Sequence, residues 1–244
     1  MAAGDSKSVI PLESNPAIFS ELAFKLGLSP VVDFHDVYSL TDTELLAFLP
    51  NPVYAVILLF PLTESYENYR KTEDSNIPQA YHNQHIETIK WFKQTIGNGC
   101  GLYALLHALG NLPNDLIISN SVLSSLLAKL DQRVSVEEVS KIVEDLEASI
   151  KLDQNYGEKG QTSVPAADEE IYFHFITFVK GKDNHLYELD GRRNGPIDLG
   201  PTDEHNTSII SVPQLTEKIQ FYINNADEAN KHNFAMMAIG PSLD

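Results

Sequence analysis

The chain holds one cysteine, Cys100, in a position that suits a nucleophile. It follows the glycine-containing turn Gly97 to Gly99 and opens an apolar segment whose leucines recur at helical spacing. Unpaired amides and the positive end of the helix dipole meet at such a position, and both favour the thiolate, which is the reactive form of cysteine. A free cysteine is more often an inert core residue, so this interpretation needs partner groups.

His174 and Asp190 are the partner groups that the sequence offers. His174 lies in the apolar strand pattern Ile171 to Val179, and Asp190 ends the next strand pattern, His185 to Leu189. Turn residues in Lys180 to Asn184 predict a hairpin, which would bring the carboxylate to the imidazole. A carboxylate there fixes the histidine tautomer and stabilises the imidazolium, as in a catalytic triad. Taken singly, the two residues are more typical of a core histidine and of an aspartate that caps a turn.

Gln94 is a candidate donor to a developing oxyanion. It precedes Cys100 in the sequence by six residues. A side-chain amide directed at the reacting carbonyl could donate to it together with the Cys100 backbone N–H. Spacing alone is a weak signal, because a glutamine in a loop usually contacts water.

Two other motifs do not support a cofactor or metal site. Gly97-x-Gly99-x-Gly101 lacks the lysine and Ser/Thr pair of a phosphate-binding loop. His82 and His85 have the spacing of some metal ligands, but no matching carboxylate or cysteine pair accompanies them. A single cysteine also excludes an internal disulfide and any multi-cysteine zinc or iron–sulfur site, so we expect neither metal nor cofactor.

The charge of the chain restricts its partners. Seventeen Lys and Arg against 34 Asp and Glu give a net charge of −17, which would repel nucleic acid and anionic membranes and favour basic partners. The same acidity could serve solubility alone, so it excludes partners without selecting one.

Length and hydropathy predict one soluble domain over residues 1–244. A chain of 244 residues with 43% apolar residues can bury one sizeable core. Met1 to Ser8 lacks the apolar run of a signal peptide, and the longest apolar stretch, Tyr54 to Phe60, is too short to span a bilayer. We therefore expect a monomer in a reducing compartment, the cytoplasm or additionally the nucleus.

Periodicity predicts an α/β fold in which an antiparallel sheet packs against helices. Asn15-Pro16 starts and Gly27 stops a first helix, and Thr41 with Glu44 forms a capping-box pattern. Polar residues from Leu62 to Asn83 predict a mobile surface excursion, and Asp153 to Asp168 is too long for a plain connection. Further helices are predicted at 100–110, 122–130, 135–150 and 213–224, and strands at 53–60, 171–179, 185–189 and 234–239.

Taken together, these residues resemble the ubiquitin carboxyl-terminal hydrolases, which are papain-like cysteine peptidases. The resemblance covers nearly the whole chain and is to the short, single-domain form, particularly that of fungal members. It is most specific where the Gln94 and Cys100 block joins the His174 and Asp190 hairpin. The matching segments are Pro11 to Pro16, Phe34 to Tyr38, Glu44 to Leu46, Val56 to Pro61, Gln94 to His107, His174 to Ile176 and Leu186 to Arg192.

The resemblance implies a fold, an activity and residue roles. The fold would be papain-like (α+β), with a central antiparallel sheet flanked by helices and an active-site crossover loop at residues 153–168. The activity would be cleavage of small adducts, esters, thioesters or short peptides from the C-terminal glycine of ubiquitin, with Nedd8 left open as a second substrate. An acyl-enzyme would form without a cofactor. Cys100, His174, Asp190 and Gln94 would be the catalytic residues, and Asp36 would meet the basic tail of ubiquitin.

Two differences from the family pattern and two other functions have to be considered. Gly99 stands where members often have Ala or Ser, and the turn between the His and Asp strands is about one residue longer than in some members. The chain could instead be a ubiquitin-binding module without turnover, which the presence of all four reacting residues disfavours. A different thiol acyltransferase or peptidase would share the triad, but not the acidic segment around Asp36 or the long loop.

Overall fold

An antiparallel sheet of six strands organises the computed structural model, which describes residues 7–76, 88–130, 134–152, 156 and 172–243. The strand order is β1-β6-β2-β3-β4-β5, and every neighbouring pair of these strands is antiparallel. The strands are β1 (Val32–Asp36), β2 (Ala55–Pro61), β3 (Phe173–Lys180), β4 (His185–Leu189), β5 (Ile197–Pro201) and β6 (Ala235–Pro241). The expected mixed α/β class with a central antiparallel sheet is therefore confirmed.

Helices cover both faces of this sheet. Apart from short 3₁₀ turns, they are α1 (Pro16–Leu26), α2 (Thr43–Leu46), α3 (Glu64–Asp74), α4 (Cys100–Gly110), α5 (Val122–Leu130), α6 (Val136–Ile150) and α7 (Pro213–Asn225). Within the described part of the chain, no helix combines the length and apolarity that crossing a bilayer requires.

The central strand β2 separates two apolar cores. Its side chains alternate between the faces, as a strand requires: Ile57 packs into the core that contains α4, while Val56 and Leu58 pack into the core that contains α7. Every residue of α4 is buried, which its apolar sequence predicts for a helix surrounded by protein. Cys100, the candidate nucleophile, is therefore the first residue of a helix that is packed on all sides.

Local signals in the sequence account for the helix ends of α1 and α6. The Asn15 side chain accepts a hydrogen bond from the Ala17 N–H at 3.0 Å, and Gly27 adopts a φ of 119° after the last turn. In α6 the predicted capping box is complete, because Ser135 and Glu138 each bond the other's backbone N–H. These helix boundaries are confirmed.

Two expectations about the region before the nucleophile are wrong. The capping residue of α2 is Asp42, not Thr41, because the Asp42 carboxylate accepts from the N–H groups of Glu44 and Leu45. Residues 64–74, expected to be part of a mobile excursion, form the helix α3. Its apolar face was missed because Tyr66 is its one buried aromatic side chain, and the neighbouring Glu67, Arg70 and Asp74 are charged and form ion pairs. The rest of that excursion, 77–83, lies outside the described residues.

We expect Phe19 to be critical for stability and Phe24, on the same helix, to be dispensable. Phe19 is fully buried and its ring lies 5.7 Å from that of Phe34 and 5.6 Å from that of Phe175, whereas Phe24 is 38% exposed. Phe19→Ala should lower the free energy of unfolding by about 3–5 kcal/mol because it leaves a cavity. Phe24→Ala should cost about 1 kcal/mol or less. Urea denaturation measures both, and similar losses in the two variants would contradict this account of the core.

Candidate active site

Cys100 is the first residue of α4 and is 6% exposed. The preceding residue, Gly99, has no side chain that could cap the helix, so the first amides of α4 receive no hydrogen bond from a side chain at the N-cap position. A Cβ on Gly99 would lie 3.1 Å from the Ile96 carbonyl oxygen and 3.2 Å from the Ile96 Cβ. This tight approach gives a structural reason for glycine at this position.

His174 and Asp190 form a buried pair. The predicted hairpin exists as β3 and β4, and Asp190 is the first residue after β4. The His174 Nε2 lies 2.7 Å from the Asp190 Oδ1, and the two residues are 2% and 0% exposed. Since Nε2 faces the carboxylate, Nδ1 is the ring nitrogen left for the thiol.

The electrostatics of this pair favour a charged imidazolium. Burial by itself lowers the pKa of His174, but the Asp190 charge and hydrogen bonds to Asp190 and to the Cys100 side chain raise it to about 9. Burial also opposes ionisation of Asp190, yet the His174 charge and hydrogen bond and the Arg192 backbone N–H hold the pKa of that carboxyl well below its usual range. The structure therefore joins Cys100, His174 and Asp190 in one network.

Asp190 has further partners that sequence reasoning missed. Its Oδ1 also accepts the Arg192 backbone N–H at 2.8 Å, and its Oδ2 accepts the Tyr66 hydroxyl at 2.9 Å. Trp91 donates its indole N–H to the Asp190 carbonyl oxygen at 2.9 Å. No local sequence signal marks Tyr66 or Trp91, because their contacts join segments far apart in the chain.

Gln94 is held against the turn that follows Asp190. Its backbone N–H donates to the Gly191 carbonyl oxygen at 2.8 Å, and its side-chain nitrogen donates to the Ile96 carbonyl oxygen at 3.0 Å. Its side-chain oxygen is buried and makes no hydrogen bond within the described residues. An amide nitrogen has two N–H groups, so the Ile96 contact leaves the side chain a second donor.

Two neighbouring elements fix the loop that joins Gln94 to Cys100. The Gly97 N–H donates to the Lys7 carbonyl oxygen at 2.7 Å, and the Gly97 carbonyl accepts the Val9 N–H at 3.0 Å. From α4, the Tyr103 hydroxyl accepts the Thr95 N–H at 3.1 Å. The loop is thus positioned by the N-terminal segment on one side and by the nucleophile's own helix on the other.

Asp36 is not part of this cluster. It is the exposed last residue of β1, an edge strand, and its carboxylate accepts a long hydrogen bond from the Tyr38 hydroxyl at 3.4 Å. Three strand spacings separate β1 from β3 in the sheet, which is roughly 14 Å at the usual strand separation. Asp36 therefore belongs to a separate surface.

Some sequence calls lie outside the described residues. These are His82, His85 and, apart from the buried Tyr156, the predicted crossover loop 153–168. Within the described ranges, no group of three or more His, Cys, Asp or Glu side chains is arranged to hold a metal ion.

Comparison with known proteins places this arrangement in a family. Residues 9–224 match the family model described as "Ubiquitin carboxyl-terminal hydrolase, family 1". The chain belongs to this family. It is 36% identical to the ubiquitin carboxyl-terminal hydrolase YUH1 of Saccharomyces cerevisiae over 99% of both chains. It is 39% identical to a ubiquitin carboxyl-terminal hydrolase of Drosophila melanogaster, with 94% of this chain and 96% of that one covered.

A solved structure supports the same fold for this ubiquitin carboxyl-terminal hydrolase family member. It is the UCH37 catalytic domain of Trichinella spiralis bound to ubiquitin vinyl methyl ester, which superposes with a TM-score of 0.71 at 22% identity. The alignment covers 96% of this chain and 95% of that one. The expected family and its fold are confirmed.

We expect Gly191→Ala to destabilise the protein by forcing apart Gln94 and the turn after Asp190. An added Cβ would lie 2.8 Å from the Gln94 Cβ, 3.1 Å from the Gln94 nitrogen and 3.2 Å from the Phe92 carbonyl oxygen, and these atoms cannot move independently. The free energy of unfolding should fall by about 1–3 kcal/mol.

Gly110→Ala is the matched control, because its new Cβ would also approach Phe92 but at 3.4 Å from the ring. It lies at the end of α4, where alanine suits a helix, so stability should be unchanged or rise by up to about 1 kcal/mol. Chemical denaturation compares the two, and a tolerated Gly191→Ala would refute the close approach.

Proposed function

We propose that this protein is a cysteine hydrolase that releases small adducts, as esters, thioesters or short peptides, from the C-terminal glycine of ubiquitin through an acyl-enzyme on Cys100. The observation that carries the proposal is the buried 2.7 Å contact between His174 and Asp190, joined by a hydrogen bond to a cysteine at a helix start. Relatives across the family are named ubiquitin carboxyl-terminal hydrolases. The similar Trichinella structure carries a ubiquitin-derived electrophile.

Acylation begins when the Cys100 thiolate attacks the carbonyl carbon of the terminal glycine. The carbonyl π electrons move to oxygen, and the Cys100 backbone N–H and the Gln94 side-chain amide donate to that oxyanion. The tetrahedral adduct then collapses and the bond to the leaving group breaks. His174, charged as an imidazolium because its pKa is about 9, gives its proton to the leaving atom.

Deacylation returns the enzyme to its starting state. Neutral His174 takes a proton from a water molecule as the water oxygen attacks the acyl carbon. The sulfur–carbon bond then breaks, which releases ubiquitin with a free carboxyl group and restores the thiolate beside the imidazolium. Asp190 stays ionised throughout and holds the imidazole in place through Nε2. No step requires a metal or a cofactor.

Asp36 is proposed to bind the basic tail of ubiquitin. It is exposed at the sheet edge and lies in the Phe34 to Tyr38 segment that matches the family. The chain's net charge of −17 would speed encounter with a basic partner.

Nedd8 is a further proposed substrate, which parallel assays with ubiquitin and Nedd8 esters would test.

The enzyme is proposed to act as a cytoplasmic monomer of one domain, with the nucleus as a further location. Cys100, His174, Asp190 and Gln94 all come from one chain, so a second copy is not needed to complete the site. A lone, nucleophilic thiol suits a reducing compartment. Light scattering and microscopy of a tagged chain test these two points.

We expect a ubiquitin vinyl sulfone to add once per chain, at Cys100, the one cysteine in the sequence. Cys100→Ser should retain ubiquitin binding but lose turnover of ubiquitin ethyl ester.

His174→Ala should lower kcat by about 10²–10⁴-fold because general acid–base catalysis is lost. Asp190→Asn should lower kcat by less, since it disturbs the orientation and tautomer of His174 but leaves the imidazole in place. His205→Gln is the control, because the His205 side chain is 87% exposed.

Intact mass spectrometry and steady-state kinetics measure these effects. Labelling at a residue other than Cys100, or normal turnover by His174→Ala, would contradict the mechanism. Binding of ubiquitin without labelling or turnover would identify a binding module instead. Equal turnover of unrelated acyl esters would identify a general thiol hydrolase.

We expect Asp36→Arg to raise the KM for ubiquitin substrates by about 5–20-fold at low salt, because it replaces attraction for a basic tail with repulsion. The effect should shrink above about 0.15 M salt, where the Debye length falls below roughly 8 Å. Glu204→Arg is the control, since its side chain is 72% exposed and it also changes the net charge from −17 to −15. Equal changes in KM for both variants would assign the effect to net charge and not to Asp36.

A further inference from the structure

The Tyr66 hydroxyl donates a hydrogen bond to Oδ2 of Asp190, the carboxylate oxygen that does not contact His174. Asp190 is fully buried, and its Oδ1 serves both the His174 ring at 2.7 Å and the Arg192 N–H at 2.8 Å. Its Oδ2 accepts the Tyr66 hydroxyl at 2.9 Å, and within the described residues this is the one hydrogen bond to that oxygen. A buried carboxylate oxygen without a donor is costly, so this contact satisfies a group that the mechanism requires to be ionised.

The tyrosine ring is itself held firmly. Tyr66 is 5% exposed, and its ring meets that of Phe60 edge-on at 4.7 Å and lies 5.8 Å from that of Tyr222. The Thr63 hydroxyl caps α3 by accepting the Tyr66 N–H at 3.2 Å. The position of the hydroxyl is therefore set by the fold and does not depend on Asp190.

Ion pairs tie α3, which carries Tyr66, to the turn that follows Asp190. Arg192 lies 2.8 Å from Glu67, and Arg193 lies 3.4 Å from Asp74. Within α3, Arg70 contacts the same two acidic residues at 3.0 Å each. The members of these pairs are partly or fully buried, so salt screens them less than it screens surface pairs. The hydroxyl and the carboxylate it contacts thus belong to one rigid unit.

We propose that Tyr66 is a positioning residue, whose hydroxyl holds the Asp190 Oδ2 and takes up part of the carboxylate charge, so that less of this charge acts on His174 through Oδ1. Burial, together with the Asp190 and Glu188 charges, raises the pKa of Tyr66 well above 10, so the hydroxyl remains a donor over the working range of pH. The kinetic part of this inference rests on the proposed hydrolase function.

Other charged and titratable groups also act on Asp190, His174 or Tyr66, and Tyr66→Phe has to leave them unchanged. They come from the strand that ends at Asp190, from the turn after it, from the segment before Gln94 and from α4. They are Glu188, Arg193, Lys93, Cys100 and His107. Tyr66→Phe removes one hydroxyl and leaves all of them in place.

Tyr66→Phe should lower kcat for ubiquitin ethyl ester by about tenfold and leave KM within about twofold, because the variant affects His174 and not substrate binding. The His174 pKa, followed by NMR titration of histidine-labelled protein and assigned with His174→Gln, should rise. The reason is that the Asp190 charge is no longer shared with a hydroxyl, so it stabilises the imidazolium more strongly. With more His174 protonated, less neutral base is available for deacylation at neutral pH.

Tyr222→Phe is the matched control. Tyr222 is also 5% exposed, lies in the same aromatic cluster and donates its hydroxyl to a buried carboxylate, the Glu188 Oε2 at 2.8 Å. It should lose a similar amount of stability, measured by thermal unfolding, but keep kcat and the His174 pKa. A purely structural role for Tyr66 would make the two variants alike.

The two readouts separate failure of this inference from failure of the proposed function. The titration of His174 needs no substrate. If the wild type does not hydrolyse ubiquitin esters but Tyr66→Phe still raises the His174 pKa, the proposed function is wrong and the positioning role stands. The inference is overturned if Tyr66→Phe keeps the wild-type kcat, if its His174 pKa is unchanged or lowered, or if Tyr222→Phe reproduces both effects.

Discussion

The buried contact between His174 and Asp190 is the interaction on which the rest of the site depends. Taking a carboxylate out of water is costly unless a charge and hydrogen-bond donors replace the solvent. Here an imidazole, a backbone N–H and a tyrosine hydroxyl supply that replacement. The hydrogen bonds that stabilise the buried carboxylate also hold the histidine in one orientation. The same contacts therefore serve both the stability of the fold and the chemistry of the site.

The surroundings of this pair come from several parts of the chain. Strands β3 and β4 bring the two residues together, and β2 places Phe60 in register with His174. Helix α4 carries Cys100, while Lys93 ties the segment before it to the Arg192 and Arg193 carbonyls. Because these elements are packed on all sides, small changes such as a methyl group on Gly191 would be felt at the site.

Segments with strong local signals were predictable from the sequence alone. Helices α1, α4 and α6 have apolar stripes with caps or stops, and the β3–β4 hairpin has strand patterns around a turn. Helix α3 was not predicted, because its sequence is polar and its ion pairs with residues after β4 join segments far apart in the chain. The edge strands β1 and β5 were missed because they contain few apolar residues and each pairs with one neighbour, whereas β4, which is equally short, was found as part of a hairpin.

The sequence by itself determined which groups could react and the family to which their arrangement belongs. Cys100, His174 and Asp190 are identifiable because residue type, helix start and hairpin pattern are local properties, and Gln94 is identifiable from the resemblance to the family. Only the tertiary structure decided the 2.7 Å contact, the Asp190 charge and hydrogen bonds that raise the pKa of His174 against the effect of burial, and the role open to Tyr66. Distance, burial and electric field depend on how segments far apart in the chain pack, and no local pattern encodes them.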